Sequence, residues 1–488
     1  MQKWFSDKLL PSLVVLLVLW QLFSLGYQPL PWFDEVVFAS LGQQFYQFGT
    51  FHVPVIAIED EVPLYGWVYF AGVGFLQDFL GESIFGFRLF NFLCGLGLLV
   101  FFFRLLPAQT PRWYWLLLFC ADPFFSVSWH EGRMDITALS LCMVCFWLLK
   151  KSQELTKSCF FIVLSGLLAA LALQVTPRCG FVLLGFVAFF FVNLKAKWNI
   201  LIYWVIILVL IYSVWILIYF KSYITFWDYY TNSRAVMQKG SSFLSWFVGG
   251  ELYVPKHEYL LLLLTAIASI FVIYKAFKSK ILDENKAIFY CGWAVIALFY
   301  LLVKDYGPYS VFILPFLYLI LAQTAIMLQA KRLVFILMLL LATHHAAYLG
   351  LRIVQLGLTW PLRQHENAFK LIKSTIPRGS RVIGDPLYYY AVRQAGSNYQ
   401  LCDYYLTKPE RLKYHLEKYN FQYLVVSKHL ATYKGDIAQL YLQGADLELV
   451  AELDIKLPIR KETILSYLPI SQTENYGYNA KIYKRINR

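Results

Sequence analysis

Charge is scarce in this chain. Only 15% of its 488 residues are Asp, Glu, Lys or Arg, while 59% are hydrophobic, a balance that excludes an ordinary soluble domain. The net charge of +13 forms no dense basic block, which argues against a nucleic-acid partner. Its largest soluble share, Pro361–Arg488, holds 19 Lys and Arg against 12 Asp and Glu, a diffuse excess of +7. Anionic lipid head groups or phosphorylated lipids suit such a surface better. A disulfide framework is also missing, since seven of the eight cysteines fall in or beside apolar runs and only Cys402 lies in the soluble part. Cys142 and Cys145 match C-x-x-C spacing, yet they sit inside an apolar run without neighbouring His or charge, so they read as packing. No small-residue cleavage site follows the first apolar run, Leu9–Tyr27, so this run is expected to stay as an anchor rather than leave as a signal peptide. Internal repeats and low-complexity tracts are absent.

What is present is a series of apolar runs of about 20 residues, each long enough to cross a hydrocarbon core. They predict a polytopic α-helical membrane protein with about eleven spans. Lys3 and Lys8 place the N-terminus in the cytoplasm, and Lys150-Lys151, Lys195, Lys197, Lys275–Lys286 and Lys331-Arg332 mark short basic loops on the same side. On that count the outer face gathers the Asp34 loop, the turn His130–Asp135, Arg178, the loop Lys221–Glu258, the stretch Lys304–Tyr309 and everything after Gly350.

The adjacent acids Asp34 and Glu35, in Pro31-Trp32-Phe33-Asp34-Glu35-Val36, are the most informative pair. Carboxylates at the mouth of a membrane bundle are costly to keep near lipid and tend to mark function. The competing reading is that they charge the first turn of a surface helix. Asp34–Phe48 and Leu64–Leu80 carry apolar residues at helical spacing and predict amphipathic helices in the interface. Lys221–Glu258 is aromatic-rich and reads either as a lid or as interfacial packing.

The chain divides at about residue 360 into a membrane part, 1–360, and a soluble α/β part, 361–488. In the latter, Gln364–Thr375 and Lys408–Lys418 predict helices. Arg381–Asp385, Phe421–Val426, Leu447–Ile455, Thr463–Leu468 and Lys481–Ile486 predict strands of a small mixed sheet.

Taken in order, these elements resemble the GT-C superfamily of membrane glycosyltransferases, in the branch of protein O-mannosyltransferases and lipid A aminoarabinose transferases. Phe33-Asp34-Glu35-Val36 resembles the family's Phe-Asp-Glu-Val stretch. Pro63-Leu64-Tyr65-Gly66-Trp67 is similar to its Pro-Leu-Tyr-x-Trp element, and Gly81-Glu82-Ser83 through Arg88-Leu89 to its Gly-x-Ser…Arg-Leu stretch. Arg133-x-Asp135 resembles its Arg-x-Asp, and Lys304–Tyr309 followed by Leu314-Pro315 its late tyrosine-proline segment.

The resemblance implies an enzyme of the bacterial inner membrane with its C-terminal domain in the periplasm. It would take a sugar from a polyprenyl-phosphate-linked donor and place it on a lipid, glycan or protein acceptor. Asp34 stands at the family's catalytic aspartate, with Glu35 beside it to orient the acceptor or tune the base. A lipid phosphate leaving group calls for cations and donors, for which Arg88, Arg133, Lys304, Tyr306 and Tyr309 are candidates, supported by Asp135, His130 and Arg178. Arg88 and Lys304 have an alternative role in snorkelling at helix ends, Arg133 in neutralising its own turn, and Arg178 in capping a helix end.

One element departs from the pattern. The Lys-Pro-Pro of aminoarabinose transferases is Glu61-Val62-Pro63 here, so another cation takes over or Glu59, Asp60 and Glu61 hold Mg²⁺ or Mn²⁺, with His130 and His52 as further ligands. Three acids in a loop also form an ordinary solvated turn. His344-His345 is open between packing and substrate contact. A transporter of lipid-linked sugars, or a non-catalytic scaffold of the same fold, are the rival classes. The first calls for repeats with broken helices and midplane sites.

Overall fold

The computed structural model describes residues 8–56, 67–154, 158–192, 198–228, 259–278, 284–302, 308–328, 331–402, 412–467 and 476–486. The expected metal loop Glu59-Asp60-Glu61, residues 64–66 of the second interfacial helix, Lys304, Tyr306, and 229–258 of the lid segment lie outside them.

Helix α1 (Leu10–Ser24) has Pro11 in its first turn, where its missing N–H costs nothing. α2 (Phe33–Phe48) starts after extended Trp32 and stops at Gly49, whose φ of +70° is a left-handed cap suited to glycine. α3 (Trp67–Leu80) runs against α2, and the contact is closer than any side chain allows: a Cβ on Gly74 would sit 2.3 Å from the Gly42 carbonyl oxygen. α4 (Ile84–Leu105) is capped by Ser83, whose Oγ accepts from the Gly86 amide at 3.1 Å.

α5 (Arg112–Ala121) breaks at Asp122-Pro123, and α6 (Pro123–His130) restarts on the Asp122 carboxylate, which accepts from the amides of Phe124 and Phe125 at 3.0 and 2.9 Å. After the turn 131–134, α7 (Asp135–Glu154) leaves bent by 112° from α6. The bundle continues through α8 (Ser158–Val175), α9 (Gly180–Val192), α10 (Trp198–Phe220), α11 (Tyr259–Lys278), α12 (Glu284–Leu302), α13 (Leu314–Leu328) and α14 (Lys331–Thr359).

Among the described residues, Ile84–Leu105, Trp198–Phe220, Tyr309–Met327 and Phe335–Thr375 are long and apolar enough to cross a membrane singly, and five shorter apolar helices accompany them. The question left open for His345 is resolved towards packing. It is buried, its Nε2 lies 2.7 Å from the Tyr318 hydroxyl, and that hydroxyl lies 2.8 Å from Asp122 Oδ2, tying α14 and α13 to the α6 cap. Among the described residues no two of the eight cysteines form a disulfide, and Cys142 and Cys145 are buried.

The soluble part opens with α15 (His365–Thr375). Its five strands are β1 (Arg381–Gly384), β2 (Asn398–Leu401), β3 (Tyr423–Ser427), β4 (Leu447–Leu453) and β5 (Ala480–Arg485), in spatial order β2-β1-β3-β5-β4. β1 pairs in parallel with β2 and β3, whereas β5 is antiparallel to β3 and β4, so the sheet is mixed as expected. Successive strand residues face opposite sides. Val382, Tyr423, Val425 and Ile482 join the core that runs into the membrane helices, while Ile383, Leu424 and Val426 build a separate core beneath α18 (Gly435–Gln443).

One expected strand is corrected. The described part of Thr463–Leu468, residues 463–467, lies in α19 (Ile459–Tyr467), started at Pro458, whose carbonyl accepts from the amides of Lys461 and Glu462. β2 and the short helix α16 (Tyr389–Gln394) carried no periodic signal long enough to detect.

Candidate active site

Asp34 and Glu35 occupy the first turn of α2, where the helix dipole favours negative charge. Neighbouring helical residues point about 100° apart, and this sends the two acids to different places. Glu35 turns inward and is fully buried. It receives a fork from Arg88, Nε to Oε1 in a short contact and Nη2 to Oε2 at 2.9 Å, and a third donor from the Gly132 amide at 3.2 Å. Arg88 Nη1 donates to the Leu25 carbonyl at 2.8 Å. Arg88, expected as a phosphate ligand, therefore departs from that role: it is 0% exposed and its donors are directed at protein oxygens. Glu35 likewise holds structure together instead of meeting an acceptor.

The turn carrying Arg133 is pinned from three sides. Tyr69 donates its hydroxyl to the Gly132 carbonyl at 2.7 Å, Asn91 donates to the Glu131 carbonyl at 2.7 Å, and the Gly132 amide is held by Glu35. Gly132 is there because nothing larger fits, since a Cβ would lie 1.7 Å from the Phe87 ring.

Asp34 points outward, its side chain 37% exposed. Arg133 Nη1 approaches its Oδ2 at 3.6 Å, and Arg133 Nε donates to Asp135 Oδ2 at 2.7 Å. The guanidinium of Arg133 also lies over the rings of Trp32 (5.4 Å) and Tyr309 (4.9 Å), and that of Arg178 lies 3.8 Å from the Tyr309 centroid. Arg178 is placed by the 3₁₀ turn Pro177–Cys179, and Tyr309 by the 3₁₀ turn Pro308–Phe312. Four distant segments thus bring Asp34, Arg133, Asp135, Arg178 and Tyr309 into one cluster: a partly exposed acid beside two planar cations stacked about one phenol ring.

His130 is elsewhere engaged. Its Nε2 pairs with Ser24 Oγ at 2.7 Å and its Nδ1 with the Ser126 carbonyl at 2.7 Å, so both ring nitrogens are used within α1 and α6 and neither is left for a metal. Among the described residues no group of three His, Cys, Asp or Glu is placed to hold a metal ion. Arg352 was not singled out from the sequence. It is buried in the C-terminal half of α14, its Nη1 has no hydrogen-bond partner among the described residues, and it is in electrostatic contact with Glu131 and His130. A lone Arg inside an apolar run was the signal available.

No family model matches the sequence, and no curated protein does. Solved structures do. ArnT from Cupriavidus metallidurans, in a crystal structure bound to undecaprenyl phosphate, is 11% identical, with a TM-score of 0.58 over 98% of this chain and 97% of that one. The oligosaccharyltransferase of Archaeoglobus fulgidus is 12% identical, with a TM-score of 0.51 over 88% of this chain and 70% of that one. The arabinofuranosyltransferase AftD from Mycobacteria is 14% identical, with a TM-score of 0.52 over 98% of this chain and 42% of that one. All three are GT-C membrane glycosyltransferases. The chain has the GT-C fold. Within it, the helices α2 and α3, the turn 131–134 and the 3₁₀ turns Pro177–Cys179 and Pro308–Phe312 are the parts that build or border the Asp34 cluster.

Proposed function

We propose that the chain is an integral-membrane glycosyltransferase that moves a sugar from a polyprenyl-phosphate carrier to an acceptor on the extracytoplasmic face. The single observation that supports it most is the Asp34 cluster on a GT-C fold: an accessible carboxylate set against Arg133 and Arg178, which share the Tyr309 ring.

In this reading the acceptor O–H or N–H attacks the anomeric carbon while Asp34 takes its proton. The bond from that carbon to the phosphate oxygen breaks, and polyprenyl phosphate departs with the electron pair. Arg133 and Arg178 present planar donors to the phosphate oxygens as their charge grows, and the Tyr309 hydroxyl is a further donor. Asp135 fixes the Arg133 side chain through its Nε, leaving the Nη groups for Asp34 and phosphate. Arg88 and Glu35 hold α2 against α4 and the turn, so that Asp34 stays beside Arg133. Lys304 and Tyr306 remain further phosphate-side candidates. Divalent metal at Glu59-Asp60-Glu61 enters no step.

By the placement of basic loops, the N-terminus faces the cytoplasm and the cluster faces the periplasm of a bacterial inner membrane. The test is mass spectrometry of envelope glycolipids and glycoproteins from cells with the gene, without it, and with Asp34→Asn. A sugar lost in both altered strains names donor and acceptor together. Identical envelopes in all three would refute the proposal.

A further inference from the structure

The soluble part is fastened to the membrane part just before α4, the helix that carries Arg88. Glu82, the residue before the α4 cap, receives three contacts from α16. Tyr389 donates its hydroxyl to Glu82 Oε1 at 2.8 Å, Arg393 Nε to the same oxygen at 3.0 Å, and Gln394 Nε2 to the Glu82 carbonyl at 2.8 Å. A backbone bond from the Leu401 amide to the Val55 carbonyl, 2.8 Å, adds a second attachment. Within the soluble part, the Tyr478 amide donates to the Leu362 carbonyl at 2.9 Å, next to Gly477, where φ is +54° and a Cβ would lie 2.1 Å from that carbonyl oxygen.

These attachments seat two tyrosines of the soluble part, Tyr390 and Tyr478. Each is only 1% exposed, and each is in electrostatic contact with both Glu35 and Arg88. The Tyr478 carbonyl accepts from the Tyr388 hydroxyl, and the Tyr390 ring lies against that of Tyr389, whose hydroxyl is on Glu82. The Tyr390 hydroxyl finds no hydrogen-bond partner among the described residues. An ion pair gains from being dry only while its geometry is kept, and admitting water weakens it severalfold.

We propose that the soluble domain is a positioning element of the active site: through the clamp of Tyr389 and Arg393 on Glu82 it holds the start of α4, which carries Arg88, and through the Arg88–Glu35 pair it fixes the start of α2, which carries Asp34. Its effect on transfer rests on the function proposed above; its effect on the pair does not.

The test uses the full-length protein in nanodiscs, measured by hydrogen–deuterium exchange. Glu82→Ala and Arg393→Ala, which cut the clamp from opposite sides, each raise exchange about tenfold in α16 and also in residues 33–38 and 84–90, because the opening is one cooperative unit. Glu82→Gln keeps the accepting oxygen and raises it no more than about threefold. A rise confined to α16, with 33–38 and 84–90 unchanged, overturns the proposal. So does an effect of Glu82→Gln equal to that of Glu82→Ala. Should Glu82→Ala fail to fold, Arg393→Ala decides alone, since its side chain is 36% exposed. In cells, the clamp variants lower the envelope sugar that Asp34→Asn removes. If Asp34→Asn removes none, the transfer reading has failed while the exchange result still stands or falls by itself.

Discussion

Glu35 and Arg88, 53 residues apart, meet as a fork that is wholly shut off from solvent and joins α2 to α4. Breaking one side strands the other charge in a dry interior. Arg88→Leu or Glu35→Leu alone therefore lowers stability by about 3–5 kcal/mol, whereas the double variant Glu35→Leu/Arg88→Leu loses clearly less than the two singles added. Thermal unfolding of the four proteins in the same detergent measures this. Simple additivity would show that the pair is not coupled.

Arg133 and Arg178 each present a planar face to Tyr309. Lysine keeps the charge but gives up both the stacking and the two-pronged donor. Arg133→Lys is expected to reduce transfer about 10- to 100-fold with little loss of stability, and Arg178→Lys less, because Arg133 also meets Asp34 and Asp135. Product formation in the envelope, with protein amount held equal, is the readout. Full activity of Arg133→Lys would mean that charge alone suffices.

Gly132→Ala puts a methyl into the Phe87 ring and pushes the turn off Glu35 and Tyr69. Overpacking of this kind costs about 1–3 kcal/mol. The loss of activity should exceed what that cost explains, since Arg133 moves with the turn. Trimming the obstacle in Gly132→Ala/Phe87→Leu should recover part of it, assayed by transfer and thermal stability together.

In the soluble domain, burial pushes the Asp385 carboxyl up to about 7, against the downward pull of hydrogen bonds from Ser427 and the Leu387 amide. In an unfolded chain an aspartate titrates near about 3.9. Between those values the folded domain holds a proton that the unfolded chain has released. The stability this group contributes is thus full below about pH 4 and is lost as pH rises towards 7. The domain should melt at a higher temperature at pH 5 than at pH 8, and Asp385→Asn should flatten that slope. An unchanged slope in the variant would remove Asp385 from the account.

Much of this was legible in the sequence where the signal was local and repeated. The apolar runs gave the membrane helices, and the stretches Phe421–Val426 and Lys481–Ile486 gave the strands seen at Tyr423–Ser427 and Ala480–Arg485. The motif residues Asp34, Arg133, Asp135, Arg178 and Tyr309 are brought together by the fold. What stayed hidden depends on direction and on partners far along the chain. Nothing in Asp34-Glu35 says which acid faces out, and nothing near Arg88 says that its donors are taken. His130 looked like a site residue because polar groups in apolar surroundings are rare, yet Ser24, 106 residues away, accounts for it. Thr463–Leu468 had strand-like composition, and Pro458 just upstream decided for a helix.

The sheet has two working undersides: one shares its side chains with the bundle, and the other closes on α18. A fragment beginning at residue 361 would lose Glu82 as the partner of Tyr389 and Arg393 and the Val55 carbonyl as the partner of the Leu401 amide. Grafting this domain onto a different bundle, or expressing it by itself, therefore calls for replacing those partners first.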